Sequence, residues 1–139
     1  LVGADLRGAK LISSNFTGSD FSKADMRGAQ VVGTAFRNAN FSGAMMGGLD
    51  ARAANFAGAN LTGVQATSAQ ISVCDLRGAI LTRAKFNTAD FRHAVLANVQ
   101  AEGADFNGSD LVDTDMTGGH FERGNFDQTD FSHATLTGA

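Results

Sequence analysis

Ala24-Asp25-Met26-Arg27-Gly28-Ala29-Gln30-Val31-Val32-Gly33 decides the fold. It is one pattern written twice: a small residue, a polar one, a large apolar one, and two more that end on Gly. Followed outward from this stretch, the apolar position recurs at every fifth residue from Leu1 to Leu136. All 11 Phe of the chain fall in that one column. Random placement over five columns would collect them together with a chance of roughly one in ten million, so the period is real.

The other columns are equally regular. The small column, two residues before the apolar one, runs from Ala4 to Ala139 and is mostly Ala. Between the two lies a polar column with Asp at 5, 20, 25, 50, 75, 90, 105, 110, 115 and 130 and Asn at 15, 40, 55, 60 and 125. Two residues after the apolar position Gly recurs, as at Gly3, Gly8, Gly18, Gly28, Gly103 and Gly138. A period of five suits neither a helix, with about 3.6 residues per turn, nor a simple strand, which alternates every 2. A short extended piece closed by a tight turn does suit it. The small and large apolar residues, two apart, then point to one inner side, and Gly supplies the positive φ of a type II turn. Such units coil into a solenoid.

Composition narrows the classes further. The 139 residues are 43% apolar and only 18% charged, with 17 Gly and no Pro, Trp or Tyr, a biased makeup that fits a repeat. No apolar run approaches the roughly 20 residues that a membrane span requires. The one cysteine, Cys74, excludes an internal disulfide, and three scattered His exclude a Cys/His zinc cluster. Cys74 stands in the small column and reads as a buried apolar residue rather than a nucleophile.

Units such as Ala4-Asp5-Leu6-Arg7-Gly8, Ala24-Asp25-Met26-Arg27-Gly28, Ala59-Asn60-Leu61-Thr62-Gly63 and Ala104-Asp105-Phe106-Asn107-Gly108 resemble those of the pentapeptide-repeat proteins, over the whole chain. The resemblance implies an all-β fold, a right-handed quadrilateral parallel β-helix with four units per coil and about seven coils. At a strand spacing of about 4.8 Å this is a rod roughly 33 Å long. Leu49 and Val64 in the small column, and Met45, Ile80 and Val95 in the polar one, depart from the pattern and mark places for a local bulge or a partner surface. A single solenoid domain over 1–139 is expected. With the repeat in phase from Leu1 to Ala139, no Met at the start and no cap, the expectation is a segment of a longer chain, or ends that stack on something.

With four units per coil, residues 20 apart form outward columns. One of them reads Asp50, Gln70, Asp90, Asp110, Asp130, with Asp113 on the same face, and stacked carboxylates repel. Such a column is a candidate for binding a cation or imitating nucleic-acid phosphates. The competing reading is that Asp and Asn recur here because they bond to nearby backbone at the turn. Ile12, Val32, Val73 and Val112 share that face, so Asp50, Asp90, Asp110, Asp113, Asp130, Ile12, Val32 and Val112 form the candidate partner surface. Residues 1–100 carry 10 Lys+Arg against 6 Asp+Glu, whereas residues 101–139 carry only Arg123 against 8 acidic groups, a gradient that steers a basic partner or favours head-to-tail stacking. Arginines spread around the rod, with no aromatic stacking platform other than inward Phe, disfavour direct nucleic-acid binding. The hydroxyl row Ser22, Ser42, Thr62, Thr82 breaks at Glu102 and Glu122, which argues against an ice-binding surface.

No nucleophile motif or paired acid and base stands out, so no enzyme, cofactor or metal site is expected. The reading is a non-catalytic module, a rigid solenoid presenting flat faces to a protein partner or spacing other domains of the same polypeptide, with end-to-end or dimeric self-association as a further expectation. The resemblance also implies an alternative, a DNA-mimicking gyrase-binding protein of the inhibitor or quinolone-resistance type. The sequence marks no compartment, and the cytoplasm is the default expectation.

Overall fold

The computed structural model describes residues 1–139 as an all-β solenoid without a helix. Every β-bridge is parallel and joins residues twenty apart, from Asp5 with Asp25 through to Asp115 with Thr135, so four units complete one circuit. No helix is long and apolar enough to cross a membrane.

One unit shows how the circuits are joined. The N–H of Leu6 donates to the carbonyl of Asp25 at 2.8 Å, and that of Gly8 to Arg27 at 3.0 Å. The N–H of Asp25 donates back to Ala4 at 2.9 Å. The turn closes through Ala9 N–H to Leu6 C=O at 3.0 Å with Gly8 at φ 64°, the type II geometry read from the sequence. The turn position is left-handed whether or not it is glycine: Val73 at 61° and Thr88 at 56° hold this conformation with β-branched side chains, which resist it.

Inside, the small and large columns form one continuous apolar core from Phe21 to Met116. Phe16, Phe36 and Phe56 stack at 5.7 and 5.2 Å, with Phe21 and Phe41 stacked beside them at 5.0 Å. A second aromatic block, Phe86, Phe106 and Phe126, stacks at 5.5 and 5.1 Å in a different column. Such offset ring pairs add to the burial of their area.

The departures at Leu49 and Val64 raise no bulge. Both are fully buried, and the ladder runs through them unbroken. The reason is an exchange of sizes two residues apart: Leu49 precedes Ala51, Val64 precedes Ala66 and Val99 precedes Ala101, so each oversized small position is followed by an undersized large one. The core keeps its volume, and volume-conserving swaps are tolerated best. Three buried polar residues in the small column are satisfied by one rule, while Thr114 instead donates to the Leu111 carbonyl within its own turn. Thr34 Oγ1 donates to Leu11 C=O at 2.6 Å, Ser109 Oγ to Phe86 at 2.6 Å, and Cys74 Sγ to Ala51 at 2.8 Å, each reaching back 23 residues. No buried side-chain polar atom lacks a partner.

Candidate partner-binding face

The column Lys10, Gln30, Asp50, Gln70, Asp90, Asp110, Asp130 is a continuous line of bridges, so its side chains share one outward face. Each Asp in it accepts a hydrogen bond from the backbone N–H two residues on. Val112 donates to Asp110 Oδ1 at 3.1 Å, Arg92 to Asp90 at 3.0 Å and Ser132 to Asp130 at 2.8 Å. The same contact occurs in the other columns, from Arg7 on Asp5 to Asp127 on Asn125. It satisfies the one N–H of the unit that neither the circuit-to-circuit ladder nor the turn takes up, and that is the local reason Asp and Asn hold this position.

The charge of the column is also answered from within. Arg52 closes on Asp50 with Nε–Oδ1 at 2.8 Å and Nη2–Oδ2 at 2.9 Å, and Arg92 closes on Asp90 in the same way at 2.9 and 2.8 Å. Arg7, Arg27 and Arg77 repeat the two-point contact with Asp5, Asp25 and Asp75. These guanidinium hydrogen bonds hold the carboxyls of Asp25, Asp50, Asp75 and Asp90 below the ordinary range and take Asp5 to about 2. Asp130 is lowered chiefly by the Ser132 hydroxyl, 2.6 Å away. The signal was in the sequence as Asp-x-Arg at 5–7, 25–27, 50–52, 75–77 and 90–92, a spacing that reading the columns alone passes over.

Toward the later circuits the acids lack such forks. Asp113 has only His93 beside it, Nδ1–Oδ2 3.6 Å, and Asp110 has the second reach of Arg92 at 3.5 Å. The apolar members of the face divide: Ile12 is exposed, Val32 and Val112 are half-buried, and Val73 at the neighbouring turn position is 60% exposed. No three His, Cys, Asp or Glu side chains converge as metal ligands. Cys74 is sealed inside, and burial pushes its thiol up to about 12.

A second surface feature was not singled out from sequence. A depression of about 590 Å³ is lined by Thr82, Gln100, Glu102, His120, Glu122 and Arg123, where the hydroxyl row gives way to carboxylates. His120 Nδ1 lies 3.6 Å from Glu122 and Arg123 Nη1 3.6 Å from Glu102, so its charges are loosely paired and open to water.

These features define a repeat solenoid whose outward polar groups are organised by its own backbone. The family model of pentapeptide repeats matches residues 1–38, 35–72, 69–108, 84–123 and 109–139, and the chain belongs to the pentapeptide-repeat family. Among solved structures it is similar to full-length QnrB1, a plasmid-mediated fluoroquinolone resistance protein, with 23% identity over 99% of this chain and 84% of that one and a TM-score of 0.56. A trypsin-treated variant of QnrB1 gives 24% identity, 99% and 70% coverage and a TM-score of 0.53. A pentapeptide repeat protein from the Arabidopsis thaliana thylakoid lumen aligns over 73% of this chain and 68% of that one at 21% identity, with a TM-score of 0.39. No curated protein sequence matches the chain.

Proposed function

We propose that the chain is a non-catalytic module, a four-sided right-handed solenoid of nearly seven circuits that presents a flat face to a protein partner. The observation that carries this reading is the set of backbone caps. Asp50, Asp90, Asp110 and Asp130, the carboxylates with the spacing to do chemistry, each hold a neighbouring N–H. Asp50 and Asp90 are further locked by arginine. Asp50, Asp90 and Asp130, held in this way and with their pKa values lowered, are poor general acids and good rigid landmarks. The later circuits leave Asp110, Asp113 and Asp130 without an arginine fork and Val112 half-buried among them, which suits a protein surface bearing basic and apolar groups.

The test is site-specific photo-crosslinking in the source cells from position 112, compared with position 57 in another column. The reading expects a protein adduct from position 112 that disappears in Asp110→Lys/Asp130→Lys. Equal adducts from both positions would overturn it.

A second reading takes the acidic circuits as a DNA-like surface for gyrase. The excess of 8 acidic groups over Arg123 in residues 101–139 favours it. The arginine locks on Asp50 and Asp90 weigh against an uninterrupted phosphate-like row. A gyrase supercoiling assay with the purified chain, with and without a quinolone, decides between inhibition or protection and neither.

A further inference from the structure

Turn positions in this solenoid are left-handed throughout, so glycine is the unstrained choice. The column Gly18, Asn38, Gly58, Gly78, Asn98, Gly118, Gly138 follows that rule, using only Gly and Asn. The column Ser13, Gly33, Ala53, Val73, His93, Asp113, His133 defies it, with one glycine and with Val73 β-branched at φ 61°. Val73 is also 60% exposed, so no packing within the chain explains a bulky apolar side chain there. The preceding turn position of the same bend carries Ile12, 50% exposed, and the half-buried Val32 and Val112. One bend therefore holds both local strain and outward apolar groups, an arrangement that points to a contact surface.

The order of residues along this bend and the adjoining face says what covers it. Val73 lies in the middle circuit. Turning a second copy by two-fold symmetry about an axis across the solenoid at that level keeps every column opposite itself and reverses its direction. Val73 then meets Val73 of the second copy, and Val32 meets Val112. In the adjoining column Lys10 meets Asp130 and Gln30 meets Asp110. Asp50 with its Arg52 lies opposite Asp90 with its Arg92, so at this level two internally neutralised pairs face each other. An axis along the solenoid would instead lay the acidic circuits on each other. The face is self-complementary only in the antiparallel sense, the requirement of an isologous contact.

We propose that this face is the interface of an antiparallel side-by-side homodimer centred on Val73. The inference rests on the reading of the chain as a protein-binding module and names a second copy as occupant. One flat face of a short rod is a small contact, so the association is weak, on the order of 10–100 µM.

Sedimentation velocity of the full chain across that range tests it, with disulfide trapping in a Cys74→Ala background. Val73→Cys is expected to yield a disulfide dimer, and Ser68→Cys, at a turn position in another column, none. Val73→Asp should weaken association about tenfold or more. Val73→Gly should raise the melting temperature while weakening the dimer, a split that a purely structural role would not produce. Lys10→Glu and Asp130→Lys should each weaken the dimer, and the two together should restore it to within about twofold, since the pair meets across the interface. A chain that stays monomeric, a dimer indifferent to Val73→Asp, or equal trapping through Ser68→Cys would overturn the proposal. The mass of the adduct from position 112 separates the two readings: an adduct to a different protein from a chain that stays monomeric overturns the dimer and leaves the broader reading standing.

Discussion

Arg92 ties two circuits of one column together. Its Nε and Nη2 close on Asp90 at 2.9 and 2.8 Å, and the same Nε lies 3.5 Å from Asp110 Oδ2, the residue bridged to Asp90 one circuit on. Arg7 repeats the arrangement, with Nη2 2.7 Å from Asp5 and Nε 3.7 Å from Asp25. Carboxylates stacked circuit upon circuit are thus stitched by the cations beside them, which offsets the repulsion expected from the column alone.

This stitching sets the response to acid. The folded pKa values of Asp5, Asp25, Asp50, Asp75 and Asp90 lie below those of the unfolded chain, so the unfolded state binds protons first. Their stabilisation is complete above the unfolded value of about 3.9 and is lost as pH falls through the folded values. Chemical denaturation midpoints should be flat from pH 7 to about 5 and fall below about pH 4. The fall should be shallower in Asp50→Asn/Asp90→Asn.

The size exchange at Leu49 and Ala51 gives a second expectation. Leu49→Ala should cost about 2–4 kcal/mol through the cavity it opens. Ala51→Leu alone should cost about 1–3 kcal/mol by overpacking. The double substitution should cost clearly less than the sum, as a double-mutant cycle in urea would show.

Gly119 stands in the small column where a Cβ would lie 2.3 Å from Phe121 Cε2 and 3.2 Å from the Met116 carbonyl. Gly119→Ala should therefore displace the Phe121 ring and destabilise by about 1–3 kcal/mol. Gly63→Ala, with nothing within 4 Å of the added carbon, should suffer only the left-handed backbone strain, about 1 kcal/mol.

Cys74 is fully buried, donates its thiol hydrogen to Ala51, and has its pKa pushed up to about 12. At pH 8 the native chain should not react with a disulfide reagent over minutes, and the unfolded chain should titrate one thiol.

Much of this was legible in the sequence, for physical reasons. Phe, Leu and Met at every fifth residue announce an inner column because nothing else tolerates them, and Gly8 or Gly28 announces a left-handed turn because side chains resist it. Leu49 looked anomalous only when read in its own column; beside Ala51 it is half of a volume-conserving pair. The arginine fork on Asp50 was hidden for the same reason. Column reading compares residues twenty apart, whereas the fork spans two within one extended unit, whose side chains share a side. Glu102 and Glu122 were visible as interruptions of a hydroxyl row, but their gathering with His120 and Arg123 into a depression depends on side-chain rotamers that no periodicity encodes.

The acidic column belongs to the backbone before it belongs to any partner. Amide hydrogen exchange at Arg92 and Val112, whose N–H groups donate to Asp90 and Asp110, tests it most directly. Both amides should be protected, Asp90→Ala and Asp110→Ala should each release the amide they capped, and the Asn substitutions should retain it. Rapid exchange at both amides in the unaltered chain, or protection indifferent to the Ala substitutions, would contradict it.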